Sequence, residues 1–214
     1  MWRIGVEFAF DVISAEDYDR QRASYDPLTD ALRRLIDVGI HTAVDDGTVQ
    51  EALRHLEAAT ELLERDQRSV TSTLRHADTG KPVAWANPAV GLRNAIAPPM
   101  VIQHDPDGSC WSEFTLGRAY EGPPGWVHGG ICALLLDHIL GEVASEGLSL
   151  PKFTGTISVK YLRGTHLGPV RAEAFVERSE GFKTYARGYL KDAEGVTVEA
   201  EGVFIMPAWA RDAG

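Results

Sequence analysis

Between Asp26 and about Arg65, apolar residues recur every three or four positions, at Leu28, Leu32, Leu35 and Ile36 and again at Leu53, Leu56, Leu62 and Leu63. This is the period of helices that bury one face, and it predicts two of them. Asp26 is the expected cap of the first, with Pro27 at its opening position; Asp45, Asp46 and Gly47 separate the pair, and Thr48 is the expected cap of the second. From Asp66 to Pro99 the period fades and Gly80, Pro82, Pro88, Gly91, Pro98 and Pro99 punctuate the chain, which predicts a connector laid over a surface. The opening stretch, MWRIGVEFAFDVISAEDYDR, holds Glu7 and Asp11 within its apolar run, has Arg3 alone as a cationic start and lacks a small-residue cleavage site. It reads as a structural segment rather than a secretion signal.

After Met100 the period shortens to that of strands. MVIQH and CWSEFTL flank Asp105-Pro106-Asp107-Gly108, a strong turn sequence, and predict a hairpin. Gly122 to Gly125 break the sheet before one apolar helix from about Gly129 to Glu146. Three alternating segments follow: TGTISVKYL, with Ile157, Val159 and Tyr161 on one face, then VRAEAFVER and FKTYARGYL. The turn Asp192-Ala193-Glu194-Gly195 leads to a last strand, VTVEAEGVFI. Hairpin, helix and antiparallel meander in that order predict an α+β architecture, a buried helix wrapped by one curved sheet. The expected division is a helical extension with connector over residues 1–99 and a helix-and-sheet domain over residues 100–214.

Composition narrows the function classes. The chain has 214 residues, 44% of them hydrophobic and 24% charged, a folded rather than disordered profile. A formal net charge of -10 leaves no basic footprint for nucleic acid or anionic lipid. No run approaches the roughly 18 apolar residues that span a bilayer, and ICALLL is far too short. Cys110 and Cys132 are the only cysteines, too few for a disulfide framework and without paired metal spacing. A reducing, cytoplasmic setting is expected. The seven histidines show no HExxH, and no GxxxxGK[ST] phosphate loop occurs, so neither a metal site nor a nucleoside triphosphatase is expected.

The candidate chemistry lies on the helix. ICALLLDHILGEVA is apolar almost all round, yet Asp137 stands in its middle, where a carboxylate loses hydration worth several kcal/mol unless something offsets it. Steps of three and four place Gly130, Ala133, Gly141 and Ala144 on the same face, a groove of small residues open to a backbone or a slender ligand. Ahead of the helix stands Gly125-Trp126-Val127-His128-Gly129-Gly130. Glycines at a helix N-terminus let a carbonyl oxygen reach the unpaired N–H groups and the positive end of the dipole, which makes this a candidate oxyanion site. His138, about 100° round the helix from Asp137, reads as a packed histidine. Lys160, Arg163, Arg178 and Lys183 are cations near strand ends that could meet phosphates, with solvated surface charge as the plainer account.

The segment EGPPGWVHGGICALLLDHILG closely resembles the signature of hot dog fold acyl-CoA thioesterases, in particular the PaaI-like group and related thioesterase superfamily members. The resemblance covers about Met100 to Met206 and implies a hot dog domain preceded by an α-helical extension. It also implies that the aspartate nine residues after the histidine, Asp137, is general base or nucleophile. By the same resemblance Gly129 polarises the thioester carbonyl with Gly130 beside it, Thr154 assists at the reacting water, and His128 sets the site's geometry. Lys160 and Arg163 become candidate coenzyme A contacts. Two departures stand out: Gly122 occupies the position where the PaaI branch usually has asparagine, and the strand end reads Tyr161-Leu162-Arg163-Gly164-Thr165-His166 without its proline-rich turn. The implied activity is hydrolysis of an acyl-CoA to a free fatty or aryl acid and coenzyme A, in lipid metabolism, with no cofactor beyond the coenzyme A of the substrate. The implied assembly is a homodimer or a dimer of dimers, with Asp137 and Thr154 facing one another across the subunit interface. A non-catalytic acyl-CoA or lipid-binding hot dog module is the alternative, and a hot dog dehydratase is disfavoured by its different placement of histidine and acid.

Overall fold

The computed structural model describes residues 9–67 and 72–211; Arg3 and Glu7 lie outside the described residues. The chain begins with strand β1 (Ala9–Ile13), then helix α1 (Ala15–His41), helix α2 (Asp46–Glu64) and strand β2 (Ser72–His76). Next come β3 (Gln103–His104), β4 (Cys110–Leu116), helix α3 (Gly129–Ala144) and β5 (Phe153–Tyr161), then β6 (Gly168–Glu180), β7 (Lys183–Asp192), β8 (Gly195–Ile205) and a short α4 (Ala208–Arg211). Strands β3 to β8 form one antiparallel sheet in the order β3-β4-β6-β7-β8-β5, and α3 lies against it. This is the helix packed on one antiparallel sheet expected from the order of elements, and the hot dog arrangement that the resemblance implies. Leu135, Leu136, Ile139 and Leu140 of α3 are fully buried against a sheet face that includes Ala172, Ala174, Ala186, Leu190, Val198 and Phe204. Burial of each such leucine or isoleucine contributes about 1.5–3 kcal/mol, so the apolar helix is the centre of the core.

The first helix begins earlier than the Asp26-Pro27 signal suggests. Ser14 caps α1, its Oγ accepting from the Asp17 N–H at 3.1 Å, and Glu16 and Asp17 complement the helix dipole in the first turn. Pro27 therefore sits inside the helix. Its ring and Ala23, whose carbonyl loses its donor, both face solvent, so water can replace the missing hydrogen bond. Asp45, not Thr48, caps α2, accepting from the Thr48 N–H at 3.0 Å and from the Thr48 hydroxyl at 3.0 Å.

The segment read as a surface connector does more than cross a surface. β2 pairs in parallel with β1, Leu74 opposite Asp11, and both Ile13 and Leu74 are buried. Ala89 and Met100 enter the main core, and Ala97 is buried. Apolar burial without periodicity left no sequence pattern there, because the backbone is held by turns rather than by a regular element. Arg93 clamps this segment to α1: its guanidinium lies 3.5 Å from the Tyr25 ring centroid and 3.6 Å from that of Trp85, and it donates to Gln21 Oε1 at 2.6 Å. The expected hairpin is present, but its first strand shrinks to Gln103–His104.

The turn after β7 anchors the loop that precedes β6. Asp192 is almost wholly buried and accepts from both ends of the Arg163 guanidinium, with Nη1 at 2.8 Å from Oδ2. The Glu194 N–H donates to Oδ1 at 2.9 Å, and the His166 ring stands 3.2 Å from Oδ2. The Arg163 pairing above all holds the Asp192 carboxyl well below the usual carboxylate range. Because the folded-state pKa is depressed, this pairing stabilises the fold above the unfolded aspartate's pKa and is lost as pH falls through the folded value. We expect Asp192→Asn to cost about 2 kcal/mol at neutral pH by urea unfolding, and the gap from the parent protein to close progressively below about pH 4. A gap that stayed constant into acid would show that the carboxylate charge is not the cause.

Candidate active site

Three pieces of chain build the site. The first is the loop from Glu121 to His128. The Glu121 carboxylate accepts from the Gly125 N–H at 2.6 Å, and Gly125 has φ +82°, a left-handed conformation that glycine adopts without strain. Trp126 stacks on His166 with ring centroids 4.2 Å apart, and the Val127 N–H donates to the Thr165 carbonyl at 2.8 Å. Gly164 lets the indole approach: a Cβ there would lie 2.3 Å from Trp126 Cε3. The loop thus rests on residues 163–166, which Asp192 fixes.

The second piece is the start of α3. His128 is its cap, and its Nδ1 accepts from the Gly130 N–H at 3.0 Å, so the ring proton belongs on Nε2. The Gly130 N–H is thereby committed to the cap. The Gly129 N–H, first in the helix, has no acceptor among the described residues. Tyr161 at the end of β5 covers this position, donating from its hydroxyl to the Gly129 carbonyl at 2.8 Å. Gly122 is needed beneath it, since a Cβ there would stand 2.9 Å from His128 Cα. The residue that differs from the PaaI pattern therefore has a packing role in this chain.

The third piece joins Asp137 to β5. The Thr154 hydroxyl donates to Asp137 Oδ1 at 2.9 Å, within one chain. The pair expected to meet across a subunit interface is therefore formed inside a single subunit. A β-bulge explains it. Ile157 and Val159 point at the core, so an unbroken strand would turn Thr154 the other way; the register shift between Thr154 and Thr156 reverses the alternation and aims Thr154 at α3. Asp137 is half-buried. The small-residue groove beside it is open only in part, because Phe204 of β8 lies against Gly141 and Ala144 is buried.

Other candidates stand elsewhere. Arg163 is engaged with Asp192 and the Gly195 carbonyl. Lys160 is exposed on the sheet face turned away from α3, in a groove with Ser158, Arg187 and Glu201. Neither is brought to the Asp137–Thr154 pair. His138 packs as expected, and burial holds its imidazole below the usual range. Both thiols are buried, Cys110 pushed up to about 12 by desolvation and Cys132 raised for the same reason, so neither is an activated nucleophile. Sequence reasoning placed Tyr161 on the correct face but missed its grip on Gly129; a hydroxyl-bearing aromatic at the end of an inward face was the available signal.

Comparison with known proteins gives the family. The thioesterase superfamily model matches residues 124–199. A crystal structure of a thioesterase superfamily protein is 34% identical, covers 85% of this chain and 94% of its own, and superposes with a TM-score of 0.76. The zebra fish thioesterase superfamily member 2 is 16% identical over 58% of this chain and 91% of its own, with a TM-score of 0.50. A Streptococcus pneumoniae TIGR4 thioesterase protein, solved with coenzyme A, is 20% identical over 50% of this chain and 85% of its own, with a TM-score of 0.47. No curated protein matches. The chain belongs to the thioesterase superfamily.

Tyr161→Phe removes one hydrogen bond and keeps the ring over Gly129. It is expected to lower stability by about 1 kcal/mol and to speed amide exchange at the start of α3. Unchanged exchange over Gly129 to Cys132 would show that the hydroxyl does not hold the helix entrance.

Proposed function

We propose that the protein hydrolyses acyl-CoA thioesters, with Asp137 as general base. The observation that carries this reading is the Asp137–Thr154 pair, poised on a helix that opens with an uncommitted Gly129 N–H in a chain of the thioesterase superfamily. The Thr154 hydroxyl donates a hydrogen bond to Oδ1 and keeps lone pairs for a water, leaving Oδ2 to take that water's proton. The water oxygen attacks the thioester carbonyl carbon, and the tetrahedral oxyanion is held by the Gly129 N–H. Collapse breaks the carbon–sulfur bond; Asp137 returns its proton to the departing thiolate, giving a carboxylic acid and coenzyme A.

One helix does not supply both groups to one substrate. Gly129 and Asp137 are eight residues apart, about 12 Å along the axis, whereas the carbonyl must touch both the attacking water and the N–H. The reading therefore takes Gly129 from a second copy. Strand β5, which carries Thr154 and among the described residues pairs only with β8, supplies an open sheet edge for that copy.

Asp137→Asn is expected to lower kcat on the best substrate of an acyl-CoA panel about 10²–10⁴-fold, measured by thiol release, with the fold intact by circular dichroism. Unchanged turnover would remove the assignment, and tight binding without turnover by the parent protein would favour the binding module. Gly129→Pro deletes the oxyanion donor while suiting the first helical position. Each variant alone is expected to be nearly inactive, whereas co-expressing the two should restore about a quarter of parental activity, since half of randomly mixed dimers hold one intact site of two. No recovery in verified mixed dimers would mean that Gly129 and Asp137 of different copies do not share a site.

A further inference from the structure

Between the N-terminal extension and α3 lies a cavity of about 510 Å³, within the size range of small-molecule sites. Its wall is built from Tyr18 and Arg22 of α1, His76 of β2, the connector between Lys81 and Ile102, His138 and Glu142 of α3, and Leu148 just beyond it. Most of the lining is apolar and includes Val83, Trp85, Val90, Leu92, Met100 and Ile102. The wall is held by its own bonds. The His76 N–H donates to the Lys81 carbonyl at 3.0 Å and the Val83 N–H to the Leu74 carbonyl at 2.8 Å, while the Arg93 guanidinium lies 3.6 Å from the Trp85 ring centroid. Beyond α3, Glu146, Gly147 and Leu148 are all left-handed, at φ +53°, +70° and +63°. A leucine in that region is an outlier, and such conformations gather where a structure clamps a ligand. Hydrogen bonds hold this turn, the Gly147 N–H donating to the Glu142 carbonyl at 3.0 Å and the Leu148 N–H to the Ser145 hydroxyl at 3.3 Å.

Charge narrows what can fill it. Arg22 is paired with Asp26 at 2.9 Å and Glu142 with His104 at 3.0 Å. Burial holds the His138 imidazole below the usual range, so it adds no charge at neutral pH. His76 accepts the Asp78 N–H on Nδ1 at 3.2 Å. The Lys81 ammonium, by contrast, has neither ion pair nor hydrogen bond among the described residues. Lys81 is exposed, and its Nζ stands where a Cβ on Gly147 would lie 3.0 Å away, beside the left-handed turn. In a chain of net charge -10 the cavity thus combines an apolar lining with one unmatched cation. A neutral apolar molecule would leave that cation unmatched, and a polyanion would set further charge against apolar walls. We propose that the cavity binds a carboxylic acid with an apolar chain, its carboxylate at Lys81 and its chain among Trp85, Leu92 and Met100. Asp137, Thr154 and Gly129 do not line this cavity, so the site is separate from the catalytic pair and does not depend on the hydrolase reading.

The test is calorimetric titration of the full-length chain with decanoate, with decanol as the uncharged comparator. The parent protein is expected to bind decanoate saturably and about two- to fivefold more tightly than decanol, the scale of one exposed charge pair. Lys81→Gln should bind the two alike, and Val90→Trp, which fills the cavity, should bind neither. Absence of saturable binding would overturn the proposal, as would parental affinity for decanoate in a folded Val90→Trp. A second measurement needs no substitution. Decanoate should slow amide exchange over Val83–Trp85 and at Leu148 in the parent protein, and slowing confined to α3 around Asp137 and to β5 would also overturn it. Asp137→Asn separates this site from the catalytic one: it is expected to bind decanoate as the parent does, whatever its thioester turnover. Loss of decanoate binding there would move the acid to the catalytic pair and remove the cavity assignment, whereas retained binding in a protein without turnover keeps the cavity and removes the hydrolase.

Discussion

The nearly buried Asp192 carboxylate gathers the Arg163 guanidinium, the His166 ring and the Glu194 N–H at one turn of the sheet. The start of α3 depends on that cluster, which fixes the loop on which Trp126 stacks and to which Val127 bonds. The next residue, His128, caps α3. A helix entrance placed by a loop alone would be among the more mobile parts of a fold. Here an ion pair with one nearly buried partner, a stacked indole and the Tyr161 hydroxyl hold it from three directions. The Gly129 N–H is thus fixed in space before any substrate arrives, as an oxyanion donor of the proposed reaction would need.

The same helix faces two incompatible demands. Its leucines and isoleucine stabilise the fold by leaving water, while its single mid-helix carboxylate is costly to bury. The structure separates them by angle round the axis: Leu135, Leu136, Ile139 and Leu140 take the core side, and Asp137 turns toward the rim where β5 ends its pairing. The bulge at Gly155 is the local device that makes this workable. It reverses the alternation of the strand so that one hydroxyl, Thr154, meets the carboxylate, where unbroken alternation would turn Phe153 and Gly155 inward.

Much of this was legible in the residues. The unbroken apolar run around Leu135 marked a helix buried on several sides, and the two-residue alternation after Phe153 marked the meander, whose strands each bury a single face. The spacing from His128 to Asp137 marked the site because it matches the thioesterase signature, whereas the helix's other carboxylate, Glu142, is buried against His104. Other features were not legible for physical reasons. Pro27 looked like a helix start because local propensity favours it there, but the Ser14 cap and the packing of Thr29 and Arg33 against the connector override it. The Thr154–Asp137 contact within one subunit depends on a bulge, and one extra residue in a strand leaves no mark in a hydrophobic pattern. Arg163 looked available for phosphate because its partner Asp192 is 29 residues away in sequence.

The geometry of α3 also bears on assembly. A helix that carries an oxyanion donor at its first residue and a base at its ninth separates them by about 12 Å, and no side-chain rotation closes that distance, since one of the groups is a backbone N–H. A thioester between them is reachable only if a second helix, related by symmetry, brings its own first residue to the first helix's ninth. On the proposed reading, then, the spacing that makes the signature recognisable also makes a lone subunit incomplete. Dimerisation would be a condition of the chemistry rather than an addition to it, and whatever raises the local concentration of a second copy would act on turnover without touching the substrate.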